Sequence, residues 1–135
     1  ICRYFEALNP DPPLFGTDAL SIAEIDMWIR RVEFTLMLPI GNIWAHTHPF
    51  TARVVNPQYK EFGESNRPRA AAAMQRFDGV LAQTPFLAGD AYSMADIVLL
   101  TTIDFAGFIG VAMPGDTPAL ADWHTRVSAR PSAAA

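Results

Sequence analysis

The stretch from Ser93 to about Gly110 limits the fold more than any other part of the chain. It carries Ile97, Val98, Leu99, Leu100, Ile103, Phe105, Phe108 and Ile109, and beyond its first turn Asp104 is its one charge. Its length exceeds an ordinary strand, and Pro114-Gly115 closes it. A helix that is apolar nearly all round needs neighbours on every side, so this one is predicted to be the buried axis of a helical bundle. No strand-like alternation and no internal repeat appears elsewhere, which makes the fold class all-α.

The start of that helix is written in Tyr92-Ser93-Met94-Ala95-Asp96-Ile97. Ser93 can accept from the amide of Asp96, the Asp96 carboxylate can reach back to the amide of Ser93, and Tyr92 can pack on Ile97 as a staple. The predicted role of Ser93 and Asp96 is a structural N-cap, worth about 1 kcal/mol or more where water cannot replace it.

Around this axis the remaining helices can be placed by their punctuation. Asn9 to Gly16 holds Pro10, Pro12 and Pro13 and reads as a linker. A long helix is predicted from Thr17–Ser21 to about Ala45, with Ile22, Ile25, Ile29, Val32, Leu36 and Ile43 on its core face. Met27, Phe34, Met37 and Leu38 form a second apolar set on the same helix, a sign that it touches more than one neighbour. Pro39 removes a donor and collides with the carbonyl four residues back, so a bend near Thr35 is expected. Residues 46–59 read as a loop with at most a short helical turn. Asn66 can cap a helix with Pro68 in its first turn, running through Ala70–Ala73 to Phe77 and Leu81. A last helix spans roughly Pro118 to Ala129 and buries Leu120, Trp123 and Val127.

A chain of 135 residues has room for one domain, which buries roughly two-thirds of its unfolded surface. Half of its residues are hydrophobic and 18% are charged, which excludes a disordered or solvating chain and leaves apolar surface for a partner. Ten bases, nine arginines and Lys60, stand against fourteen acids, and the arginines are scattered, so no nucleic-acid footprint forms. No apolar run reaches the ~20 residues of a membrane span. Cys2 is the single cysteine, which excludes an intrachain disulfide and makes a reducing, cytoplasmic location the expectation.

Few residues offer chemistry of their own. His46 and His48 could give two imidazoles to a metal, but the sequence fixes no third ligand beside them, and no metal is expected. Asp104 falls two turns after Asp96, too far to share a proton, and reads as a partnered or exposed acid. Cys2 reads as a packing residue.

Phe86-Leu87-Ala88-Gly89-Asp90 followed by Ser93-Met94-Ala95-Asp96-Ile97 resembles the F-L-A-G-D…S-x-A-D-I signature that opens the central helix of glutathione S-transferase C-terminal domains. Ile1-Cys2-Arg3-Tyr4-Phe5 is similar to the end of the last thioredoxin-domain helix of that family, Pro10 to Gly16 to its interdomain linker, and Trp123 with Arg130-Pro131-Ser132 to its ending. The chain, which opens at Ile1 without an initiator Met, is accordingly expected to be a fragment. Residues 1–8 would end a missing thioredoxin-like domain, 9–18 would link, and 19–135 would be the helical domain of about five helices.

The resemblance implies a cytoplasmic, homodimeric detoxification enzyme that adds glutathione to a small apolar electrophile without a metal. Glutathione and the activating Ser, Tyr or Cys would belong to the missing N-terminal domain, so this chain alone would be inactive and would carry no catalytic residue. What transfers by resemblance is an electrophile wall at Met37, Ile40 and Phe105 and a dimer contact at Met27, Arg30, Arg31 and Phe34, where an arginine could reach a glutathione carboxylate in the partner. The alternative is a non-catalytic interaction module, because the same helical domain also serves as an assembly surface in translation factors and synthetases.

Overall fold

The computed structural model describes residues 1–133; the last two residues of the predicted domain, Ala134 and Ala135, lie outside the described residues. In chain order the helices are α1 (Cys2–Leu8), α2 (Ala19–Val32), α3 (Leu38–Thr47), α4 (Lys60–Glu64), α5 (Arg67–Leu81), α6 (Met94–Phe108) and α7 (Pro118–Ser128). A π-helical turn, Glu33–Met37, joins α2 to α3, and a short 3₁₀ turn covers Pro49–Arg53. Among the described residues there is no strand, only an isolated bridge between Phe86 and Gly89.

The start of α2 is set by Asp18, whose carboxylate accepts the amides of Leu20 (2.9 Å) and Ser21 (3.1 Å), while Ser21 Oγ accepts the amide of Asp18 in return. The Ser21 hydroxyl, followed by those amides, holds the Asp18 carboxyl below its ordinary pKa. Gly16 makes the approach possible. Its φ is +92°, and a Cβ there would sit 2.7 Å from the Ile22 nitrogen and 2.8 Å from the Ser21 carbonyl carbon. Gly16→Ala is therefore expected to destabilise the domain by about 2 kcal/mol, combining the left-handed backbone with a clash that no side chain can relieve. An unchanged thermal midpoint would refute this.

Just before Pro39, at the position where a bend is expected, the helix carries a π turn. With no N–H at position 39 and its ring pressing on the carbonyl of Thr35, the helix widens: the Leu38 amide bonds to the Glu33 carbonyl five residues back. The turn is thereby centred on Thr35, whose hydroxyl donates to the Arg31 carbonyl. Val32, Leu36, Ile40 and Ile43 still face the core on both sides of it. Ile22, assigned to that face by periodicity, is exposed, since at this end of α2 the first side chain to be buried is Ile25.

The core joins these residues to Ala70, Ala73, Met74 and Phe77 of α5, Leu99 and Ile103 of α6, and Leu120, Trp123 and Val127 of α7. The paired small side chains of Ala70 and Ala73 allow α5 to lie close to the π turn and α3. Asn66 stands before α5 but does not cap it with its side chain. It is buried, donates Nδ2 to the Phe62 carbonyl and accepts from Asn42, so it ties α4 to α3 instead. The first turn of α7 is capped from outside by Asp78 of α5, which accepts the Leu120 amide at 2.9 Å.

Helix α6 runs beside α2 and packs on α7, burying Ala95, Asp96, Leu99, Leu100, Thr102, Ile103 and Ala106. Its C-terminal half also has an open edge, where Thr101, Asp104, Phe105 and Phe108 are exposed. Asp104 is partnered there by His124 Nε2 at 2.6 Å. Asp96 lies at the opposite, sealed end. Its Oδ1 accepts the Leu87 amide (2.9 Å) and the Trp123 indole N–H (3.1 Å); its Oδ2 accepts the Ser93 amide (3.0 Å) and hydroxyl (3.1 Å). The Asp96 carboxylate thus reaches back to the Ser93 amide as expected, whereas the Ser93 hydroxyl donates to that carboxylate and the Asp96 amide bonds the Ser93 carbonyl. The Tyr92 ring meets Phe86 edge-on and lies under the Arg130 guanidinium, at 3.9 Å.

Candidate functional site

Because α2 and the π turn run alongside α6, and α3 meets it through Ile40, Gly41 and Trp44, the residues between them line one seam. Near its N-terminal end the seam has a charged station, formed by Arg3, Asp26, Arg30 and Glu33 around Ile29, Met94 and Val98. Arg3 pairs with Asp26, and its guanidinium lies 4.4 Å from the centre of the Phe15 ring. Arg30 pairs with Glu33.

One step further along, Met37, Ile40 and Gly41 face Thr101, Thr102 and Phe105 across a cleft of about 220 Å³. The three residues assigned by resemblance to an electrophile wall thus meet in one place. Ile40 forms the buried floor, while Met37 (41% exposed) and Phe105 (37%) stand at the mouth. The Thr101 and Thr102 hydroxyls donate to the Ile97 and Val98 carbonyls, so the threonines commit their protons to their own helix. None of the lining residues carries a titratable group. The cleft can hold an apolar body in van der Waals contact, but it has neither a nucleophile nor an acid.

The second predicted set divides. Met27 and Phe34 share an exposed stripe of α2 and the π turn, with Phe34 64% exposed. Arg30 leans to one side of that stripe, into the charged station. Arg31 leans to the other, over the Trp28 ring at 4.6 Å, in a cleft of about 390 Å³ with Arg76 and Phe77 of α5. Both arginines are locally engaged, by a carboxylate and by an aromatic face respectively.

The imidazoles of His46 and His48 accept the backbone amides of Tyr59 (3.1 Å) and Phe50 (3.2 Å) through Nδ1. Among the described residues no cluster of three or more His, Cys, Asp or Glu side chains is assembled for a metal. Cys2, expected to pack, is exposed, because α1 buries none of its residues. No helix among the described residues is long and apolar enough to cross a membrane.

Residues 43–131 match the model of the family described as "Glutathione S-transferase, C-terminal domain". The chain belongs to this family. Its helical bundle is that of a glutathione S-transferase C-terminal domain. It is 35% identical over 133 residues to "Glutathione S-transferase 2" of Saccharomyces cerevisiae, covering 98% of this chain and 57% of that protein. The crystal structure of Gtt2 from Saccharomyces cerevisiae superposes with a TM-score of 0.92 at 34% identity, over 98% of this chain and 64% of that one. A glutathione S-transferase domain-containing protein from Marinobacter aquaeolei gives a TM-score of 0.91 at 32% identity, over 97% of this chain and 64% of its own. The chain thus spans between 57% and 64% of the length of these relatives.

Trp44 packs edge-on against Phe105 and Phe108 stacks near it at the end of the cleft, and neither is assigned to it from the sequence. Trp44 lies four residues beyond Ile40, and Phe108 three beyond Phe105, so helical spacing alone extends the predicted wall to both.

Proposed function

We propose that this domain forms the electrophile side of a glutathione S-transferase in which a thioredoxin-like N-terminal domain binds glutathione, the whole acting as a cytoplasmic homodimer. The observation that carries the reading is the meeting of Met37, Ile40 and Phe105 in an apolar cleft beside a charged station on the same seam. The exposed Tyr4, Phe5 and Leu8 on α1, with Ile1 before it, support a neighbouring domain at that end, and the exposed Met27 and Phe34 support a subunit contact.

In this reading the glutathione thiolate attacks an electrophilic carbon held at the mouth of the cleft. A C–S bond forms, and the leaving group departs with its electron pair. The domain itself performs no proton transfer. Ile40, Met37 and Phe105 desolvate the apolar part of the acceptor, with about 0.8 kcal/mol gained per buried methylene. The thioether of Met37 adapts to different shapes.

Removing the wall should weaken acceptor binding without touching glutathione. In the full-length protein, Met37→Ala combined with Phe105→Ala is expected to raise KM for an apolar electrophile roughly tenfold, with KM for glutathione within about twofold. Equal shifts in both constants would overturn the assignment of the cleft. A full-length protein that folds and binds partners but conjugates no electrophile would favour the interaction-module reading.

A further inference from the structure

Helix α1 is fastened to the bundle by a carboxylate. From Ile1 to Leu8, Glu6 alone is not exposed, so the one side chain that α1 turns into the domain is an acid. Each of its oxygens accepts a different linker amide: Oε2 that of Leu14 at 3.0 Å, Oε1 that of Phe15 at 2.9 Å. The carbonyl of Leu14 is held in turn by α6. The Met94 amide, at the first position of that helix and without an intrahelical partner, donates to it at 2.9 Å. Arg3 adds its pair with Asp26 of α2 and covers the ring of Phe15, which belongs to the core.

The core of the bundle closes without α1, which buries none of its residues. Apolar contact is non-directional and lets two bodies roll on each other, whereas a carboxylate bonded through both oxygens fixes an angle. That angle is referred to α6, and about three turns beyond Met94 on the same helix Phe105 stands at the mouth of the cleft. Glu6, Leu14 and Met94 thereby tie α1 and the cleft into one frame.

We propose that Glu6 is a positioning residue: by gathering the Leu14 and Phe15 amides it sets the angle at which α1, and the glutathione-binding domain that α1 would end, stands over the cleft. The proposal rests on the transferase reading above. A thiolate held by one domain and a carbon held by the other react only at near-attack distance, and a misplacement of about 1 Å can cost on the order of 10²-fold in rate. Glu6 is not among the residues of the cleft, so its loss should be read in kcat and not in the binding of either substrate.

The test uses the full-length protein with glutathione and chlorodinitrobenzene. Glu6→Ala is expected to lower kcat about tenfold, and Glu6→Gln, which keeps one acceptor oxygen, about threefold. KM for each substrate, and the glutathione bound per subunit in equilibrium dialysis, should stay within about twofold of the parent. A role in folding alone would lower the bound glutathione in step with kcat. That result, a rise in either KM at unchanged kcat, or a parental kcat in Glu6→Ala overturns the proposal. Residual dipolar couplings of the backbone amides read the angle without any turnover. In the parent, the couplings of α1 should fit the alignment tensor that fits α6 and α7, and in Glu6→Ala that fit should be lost; an equally good fit in both proteins refutes the proposal. If the parent conjugates no electrophile, the transferase reading falls, and the couplings alone then decide whether Glu6 holds α1 in place.

Discussion

Asp96→Ala is expected to lower the stability of the domain by about 4 kcal/mol. The substitution removes the acceptor for the amides of Leu87 and Ser93 and for the Trp123 indole, all in a site from which water is excluded. A buried donor left unpaired costs ~1–3 kcal/mol, and the Ser93 hydroxyl alone among the four donors can turn elsewhere. For a domain of this size the thermal midpoint should fall by roughly 15 °C. Asp96→Asn should be milder, near 2 kcal/mol, because one oxygen remains for Leu87 and Trp123 while an NH₂ group is set against the Ser93 donors. A thermal midpoint within a few degrees of the parent for Asp96→Ala would show that the clasp contributes little.

The same carboxyl has a pH signature. Burial pushes its pKa above the ordinary 3.8, against the opposing pull of the Leu87, Ser93 and Trp123 donors. Between the two values the native state holds a proton that the unfolded chain has released, so this group's contribution to stability falls as pH rises through that window. The contribution is complete below 3.8 and reaches a plateau once the native carboxyl has ionised. Asparagine does not titrate, and the other carboxylates cancel in the difference. The stability of the parent minus that of Asp96→Asn should therefore decline with rising pH through the acid range. A difference that grows instead would mean that the donors outweigh burial.

What the sequence made legible follows the range of the interactions concerned. The start of α6 could be read because Ser93 and Asp96 are three residues apart, and the core faces of α2 and α7 because helical spacing is local. The third partner of the clasp could not, since Trp123 reaches Asp96 from 27 residues away. Pro39 announced a disturbance at Thr35 but not its form, because widening into a π turn depends on neighbours that keep Leu36 and Ile40 buried on both sides. Ile22 fitted the stripe and is exposed, as periodicity shows which face is apolar and not how far along the helix a neighbour extends. At the cleft, Met37, Ile40 and Phe105 came from a family resemblance; Gly41, Thr101 and Thr102 needed the meeting of α3 with α6. The separate engagements of Arg30 and Arg31 turned on which flank of one helix each side chain takes.

Trp123→Ala is the companion to the loss of Asp96, with an expected cost of about 4 kcal/mol. The indole is almost fully buried among the core residues of the bundle, and its removal leaves the largest void that any single truncation of this core could make. Trp123→Phe separates packing from hydrogen bonding: it keeps most of the ring, removes the N–H, and should cost about 1–2 kcal/mol. The two residues are also coupled. When Asp96 is already alanine, the indole N–H is an orphan, and replacing Trp123 by phenylalanine then removes a penalty as well as a contact. The double variant should accordingly be about 1 kcal/mol more stable than the sum of the single losses predicts, in denaturant unfolding of all four proteins. Additivity within about 0.3 kcal/mol would mean that the 3.1 Å bond between α6 and α7 carries no energy of its own, and that Trp123 holds the bundle by volume alone.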